Sequence, residues 1–124
     1  MRVFKYTGFS RFAKKESITD AELLEVVRQL EEGQADVDLG GDVYKVRIAR
    51  SGKGKSGGYR VILYFKNEFR TFFVYGFPKS KQDNIDEREL RAFKLDAKED
   101  FSLTDVQIDA WLKRGTLIEI PLED

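Results

Sequence analysis

The 124-residue sequence has no cysteine and no histidine. Without cysteine there is no disulfide framework and no thiolate chemistry. Without histidine the commonest metal ligand and the usual general base at neutral pH are both missing. No apolar run approaches the roughly 18 residues of a membrane span. The opening Met1-Arg2-Val3-Phe4-Lys5 carries no signal-peptide core. A cytoplasmic protein with no membrane partner and no metal cofactor is the expectation. What the chain does have is apolar content of 41% and sixteen aromatic side chains, enough for one folded domain rather than a disordered segment.

One further scarcity is local. Between Lys45 and Lys81 there is a single acid, Glu68, against ten basic residues: Lys45, Arg47, Arg50, Lys53, Lys55, Arg60, Lys66, Arg70, Lys79 and Lys81. Of the 22 acids in the chain, 21 lie in residues 16–42 and 82–124, so a net charge of zero conceals a sharp partition. Nine of the sixteen aromatics fall between Tyr44 and Phe77. Basic charge interleaved with aromatics on strands is the pattern of a surface that holds single-stranded nucleic acid. Nine excess positive charges in one segment repel each other unless a polyanion relieves them. The acidic flanks read as solvated helix faces that confine the basic groups to one side. A protein segment covering that side would itself be acidic there.

Hydrophobic periodicity places the elements. Arg2–Tyr6 reads as a short strand, and 8–15 as a helical turn ending in Lys14 and Lys15. Thr19 and Glu22 form a capping box before Leu23, Val26, Val27 and Leu30, so 20–32 reads as a helix stopped at Gly33. After a turn at Gly40-Gly41-Asp42, residues Val43–Ile48 alternate, with Lys45 and Arg47 on one face. Residues 51–58 read as a flexible loop and Tyr59–Lys66 as a strand. Asn67-Glu68 is a tight turn, and Arg70–Phe77 is a near-continuous apolar strand buried on both faces. Short connections make these three strands antiparallel neighbours. A helix starts within 83–87 and carries Leu90, Phe93 and Ala97 on one stripe. Thr104 and Gln107 form a second capping box, Gly115 ends that helix, and 116–120 reads as a last strand. The whole is a single domain with a core over about 1–98 and a helix and short strand over 103–120.

The loop Gly52-Lys53-Gly54-Lys55-Ser56 invites a nucleotide-binding reading and fails it. A phosphate loop of that kind needs a glycine where Ala49 stands, and a helix after Ser56 where a strand follows. No nucleotide cofactor is expected. Its lysines, Lys53 and Lys55, remain as groups that reach a polyanion. If the strands pair in chain order, Lys45, Arg47, Arg60, Lys79 and Lys81 converge on one surface of the sheet.

Two stretches carry a resemblance. Ser56-Gly57-Gly58-Tyr59-Arg60 with the strand after it, and Gly76-Phe77-Pro78-Lys79-Ser80 with Asp83-Asn84-Ile85 beyond, resemble the RelE/HigB family of bacterial toxins from type II toxin–antitoxin modules. The likeness is closest over about 43–98 and looser at either end. It implies an α/β fold of the α+β type, a twisted and mostly antiparallel sheet with helices packed on one side and a C-terminal helical extension. It implies an mRNA endoribonuclease acting at the ribosome, and a small helix-turn-helix antitoxin as partner beside mRNA and ribosomal RNA. The family's basic positions fall on Lys45 and Arg47, on Arg60, and on Lys79 with Lys81 nearby. The late tyrosine that some members use falls on Ile85, and the histidine of others has no counterpart.

Cleavage by the RNA's own 2′-hydroxyl needs no protein nucleophile and no metal. It needs in-line geometry, positive charge at the transition state and a proton carrier. The expectation gives Lys45 the base role, Arg60 and Lys79 the phosphate-stabilising roles, and substrate binding to Arg47, Lys53, Lys55 and Lys81. Two rival readings stand beside it. One is a gyrase-binding toxin of the ParE branch. The other is a member that binds antitoxin or RNA without cutting.

Overall fold

Three long strands form the centre of the molecule. In a computed structural model they run Val43–Arg50 (β3), Gly54–Lys66 (β4) and Arg70–Pro78 (β5), each antiparallel to the next. The structure describes residues 1–50, 54–79 and 85–122, with the backbone alone at residues 50 and 54–57. The β3–β4 ladder reaches Arg50↔Gly54, so β4 begins inside the stretch expected to be loop. A strand there also removes the helix that a phosphate loop requires.

The remaining strands extend the sheet on both sides. Val37–Gly40 (β2) pairs with β3 over Lys45 to Val43. Arg2–Tyr6 (β1) lies parallel to β5, and Leu117–Ile120 (β6) pairs antiparallel with β1. The order is β2-β3-β4-β5-β1-β6, with β1–β5 the parallel pairing. The class is the expected one, a mixed α/β fold on a mostly antiparallel sheet.

The placing of the helices is not as expected: they divide between the two faces. Thr7–Lys15 (α1) and Asp20–Glu31 (α2) cover one face, with Phe9, Leu23, Val27 and Leu30 packed on Val46, Ile48, Val61, Leu63 and Phe73. Glu87–Ser102 (α3) and Asp105–Arg114 (α4) cover part of the other, with Phe93, Ala97 and Ile108 around Phe4, Val43, Ile62, Tyr64 and Phe72. The physical reason lies in the strands. Alternate residues of β4 are apolar on both sides, from Val61 to Phe65, and an apolar face on each side demands a cover on each side. The helix starts follow the caps. Thr19, Asp86 and Thr104 each close a capping box, and Gly115 ends α4 in the left-handed conformation at φ 84°.

The C-terminal elements are tied into the sheet. Arg2 donates to Glu119 on β6 at 2.9 Å and pairs with Asp105 and Asp109 of α4. Arg70, 3% exposed, donates to the Leu103 carbonyl at 2.6 Å and to Asp105 at 3.1 Å. Arg70 therefore leaves the basic surface to which its place in the chain would assign it.

Candidate nucleic-acid interface

Strand register brings the central basic residues together. Arg47 lies opposite Arg60, and Arg60 opposite Phe77. One row along, Lys45 lies opposite Ile62 and Ile62 opposite Tyr75. Direct cross-strand partners share a face, so Lys45, Arg47, Arg60, Tyr75 and Phe77 line one side of the sheet. Lys45 is diagonal to Arg60, a separation of about 7–8 Å between such positions. Arg60 is 8% exposed, Lys45 is half-buried and Arg47 is exposed.

Like charges directly opposite each other on a ladder are destabilising. Arg47 is steadied from the edge by Asp36. The Asp36 carboxylate accepts from the Arg47 backbone N–H at 2.7 Å and stands 3.7 Å from its guanidinium. The same contact blunts the edge of β3 beyond the point where β2 stops pairing. Lys79 is exposed just past β5, its backbone N–H donating to the Gly58 carbonyl of β4 at 3.2 Å. Of the other expected contributors, Lys53 and Lys81 lie outside the described residues. Lys55 has its backbone on β4 and its side chain outside them.

Tyr75 reaches this face through a bulge. Ile62 pairs with Tyr75 but Leu63 with Phe73, leaving Val74 as an extra residue. Phe73 packs with α1 and α2, and strict alternation would send Tyr75 the same way. The bulge instead turns Tyr75 and Phe77 toward the basic row and Gly76 toward Phe12 of α1. Tyr75 is 39% exposed and sits between the rings of Phe77 and Phe93, at 5.6 and 6.2 Å. Sequence periodicity counts Tyr75 only as one of five tyrosines, because a bulge leaves no mark in the alternation of an all-apolar strand. Ile85, where the resemblance would put the late tyrosine of some members, packs into the apolar cluster under α3.

The wall of the site is α3, pinned by a buried and a half-buried phenol. The Tyr64 hydroxyl donates to Asp96 at 2.7 Å and the Tyr6 hydroxyl to Asp100 at 2.6 Å. Burial raises both phenols far above their usual range, and the carboxylates they bond raise them further. Burial also pushes the Asp100 carboxyl up to about 7. The Tyr6 hydrogen bond opposes that rise, and the neighbouring Asp96 and Glu99 charges add to it. These groups lie under the helix and hold it in place. Among the described residues no group of His, Cys, Asp or Glu could hold a metal, and no helix is long and apolar enough to cross a membrane.

A family model described as the RelE toxin of the RelE / RelB toxin–antitoxin system matches residues 1–120. The chain belongs to the RelE toxin family. It is thus the toxin of a toxin–antitoxin module, and its family implies an antitoxin as partner. The match runs through β6, so the toxin family's span includes α4 and the closing strand as well as the central hairpins.

Proposed function

We propose that this toxin is a metal-independent endoribonuclease that cuts mRNA at the ribosome and so arrests translation. The observation that carries this reading is the register row Arg47–Arg60 with Lys45 beside it, on a stretch of sheet next to α3. A phosphodiester laid over the row meets two guanidinium groups from adjacent strands, the planar, bidentate kind of donor that suits phosphate. Lys45 takes the proton of the 2′-hydroxyl. The 2′-oxygen then attacks the adjacent phosphorus, and the 5′-oxygen leaves with a proton from Lys79 or water. The products are a 2′,3′-cyclic phosphate and a free 5′-hydroxyl. Arg60 and Lys79 carry the charge that builds on the non-bridging oxygens, and Arg47 holds the strand. Tyr75 supplies a face on which a base stacks, a contact worth roughly 1–3 kcal/mol. Lys53, Lys55 and Lys81 extend the contact to the flanking backbone. The protein acts in the cytoplasm.

The test is cleavage of mRNA on translating ribosomes by the wild type and by Lys45→Ala, Arg60→Ala and Lys79→Ala. Loss in each variant supports the roles given. Full activity in all three would sink the assignment. Growth arrest with intact transcripts and inhibited gyrase would replace the nuclease reading with the ParE-like one. Intact transcripts together with retained RNA or antitoxin binding would leave a toxin that binds without cutting.

A further inference from the structure

The C-terminal third of the sequence is acidic overall, yet its basic residues are not scattered. Arg88, Arg91, Lys94 and Lys98 recur at three- and four-residue steps along α3 and are all exposed. They form a ridge about 15 Å long on the side of the helix turned away from Ala97 and Asp100. Of the acids of the helix, Asp96 and Asp100 accept from the two tyrosines beneath it and Glu89 closes the capping box. Glu87 and Glu99 are exposed, Glu87 at the start of the ridge and Glu99 beside it, so the four cations still outnumber the acids there.

Among the described residues no carboxylate forms an ion pair with any of these four cations. Arg2, Lys5, Arg28, Arg47, Lys66 and Arg70 each have at least one. The contrast with α2 is direct, for there Arg28 is held between Glu25 and Glu32.

The ridge ends in a pocket of about 320 Å³ lined by Gly41, Asp42, Lys66, Lys94, Lys98 and Phe101, among others. The Lys94 stem lies across the turn between β2 and β3. A Cβ at Gly41 would meet its Cγ at 3.0 Å, and one at Gly40 would meet its Nζ at 3.3 Å. Both glycines have positive φ, 85° and 61°, so the turn is shaped for this close approach. Lys66 sits over the Phe101 ring at 5.2 Å and 3.8 Å from Asp42. Three ammonium groups against one carboxylate leave the pocket cationic. Lys66 shares its strand face with Arg60 six residues away, a distance of roughly 20 Å.

We propose that this pocket and the α3 ridge are a second nucleic-acid site, which binds the phosphate backbone of RNA away from the row of Lys45, Arg47 and Arg60. The proposal rests on the reading that the toxin acts on RNA. The pocket takes one phosphate, and the ridge tracks the phosphates beyond it. Leu95 is the one exposed large apolar residue on α3, so the surface offers charge in single file rather than the apolar groove a peptide helix would need.

The experiment measures binding of a labelled 30-nucleotide single-stranded RNA of mixed sequence by the full chain, from low to high salt. The variants are Arg88→Gln/Arg91→Gln/Lys94→Gln/Lys98→Gln and the milder Lys94→Gln/Lys98→Gln. Circular dichroism and thermal melting check the fold, and the double variant carries the test if the quadruple one melts early. Each lost phosphate contact lowers the slope of log K against log salt by about 0.7 for a single strand, so the expected drops are about 2.8 and about 1.4. An unchanged slope in the folded variants would overturn the proposal. So would a poly-glutamate probe whose binding depends on these residues while RNA binding does not, since that marks a protein partner. The readout is binding, so it is independent of cleavage. If Lys45→Ala and Arg60→Ala leave cleavage intact, the nuclease assignment fails while a lowered slope still supports this site.

Discussion

Raising the pH from about 4 to 7 removes a proton from Asp100 in the unfolded chain before it removes one from the folded protein. The unfolded carboxyl titrates near 3.8, and the folded one, 1% exposed, near 7. Across that window the native state binds more protons, so stability falls as pH rises, and it levels off once both forms are ionised. The interval is about three units at about 1.4 kcal/mol each, a loss of about 4 kcal/mol for this one group. That is a large share of the roughly 5–15 kcal/mol that stabilises a domain. The groups facing Asp100 are the Tyr6 hydroxyl from β1 and the Asp96 and Glu99 carboxylates from its own helix, while Arg70 of β5 donates to its backbone carbonyl at 3.4 Å. Asp100→Asn removes the titration and keeps an oxygen for Tyr6. Urea unfolding at pH 5, 6, 7 and 8, followed by the fluorescence of Trp111, compares the two proteins directly. The wild type should lose stability relative to Asp100→Asn up to about pH 7, and the variant should be the more stable above it. Parallel curves across the range would refute the reasoning.

Other substitutions test separate parts of the structure. Gly76→Ala would place a Cβ 2.3 Å from the Phe12 ring, so thermal melting should show a loss of about 1–3 kcal/mol, partly recovered by adding Phe12→Leu. Thr104→Ala removes the capping-box acceptor of α4 and should cost about 1 kcal/mol in urea unfolding. Arg60→Ala should lower the single-turnover rate of mRNA cleavage by about 10²–10³, the usual loss for one transition-state donor, and an equal rate would remove Arg60 from the reaction. Asp36→Asn keeps an acceptor for the Arg47 N–H while deleting the charge beside its guanidinium. RNA affinity at low salt should rise, and a fall would mean that Asp36 orients Arg47 for binding.

The elements were legible where a local signal exists. Thr19, Thr104 and Gly115 mark helix ends by their own chemistry, and Asn67-Glu68 marks the β4–β5 turn, where Glu68 adopts φ 60°. The nearness of Lys45 and Arg47 to Arg60 followed from the short connection between β3 and β4. What the sequence hid depends on long-range packing. The parallel insertion of β1 beside β5 has no short-range cue, and β2 is four residues of ordinary polarity. The split of the helices turns on both faces of β4 being apolar, which period-2 reasoning does not resolve into two covers. Arg70 counted as surface charge until its burial under α4 assigned it to structure. Tyr75 needed the bulge, and the α3 ridge was masked because its four cations were averaged with twelve acids.

The parallel pairing of β1 also sets a timetable for synthesis. Arg2 and Val3 are made well before their partners on one side, Arg70 and Thr71, and longer still before Ile120 on the other. Val3 and Phe4, fully buried in the finished sheet, have no strand to lie against until β5 has emerged, and none on their other side until β6 has. At about 5–20 residues per second the wait lasts seconds, long compared with the microseconds in which the β3–β4 and β4–β5 hairpins close. The hairpins that carry Lys45, Arg47 and Arg60 are therefore formed before the frame around them is complete. A toxin chain still attached to its own ribosome would present the basic row on an unfinished support, and full assembly waits for the last strand to close over the first.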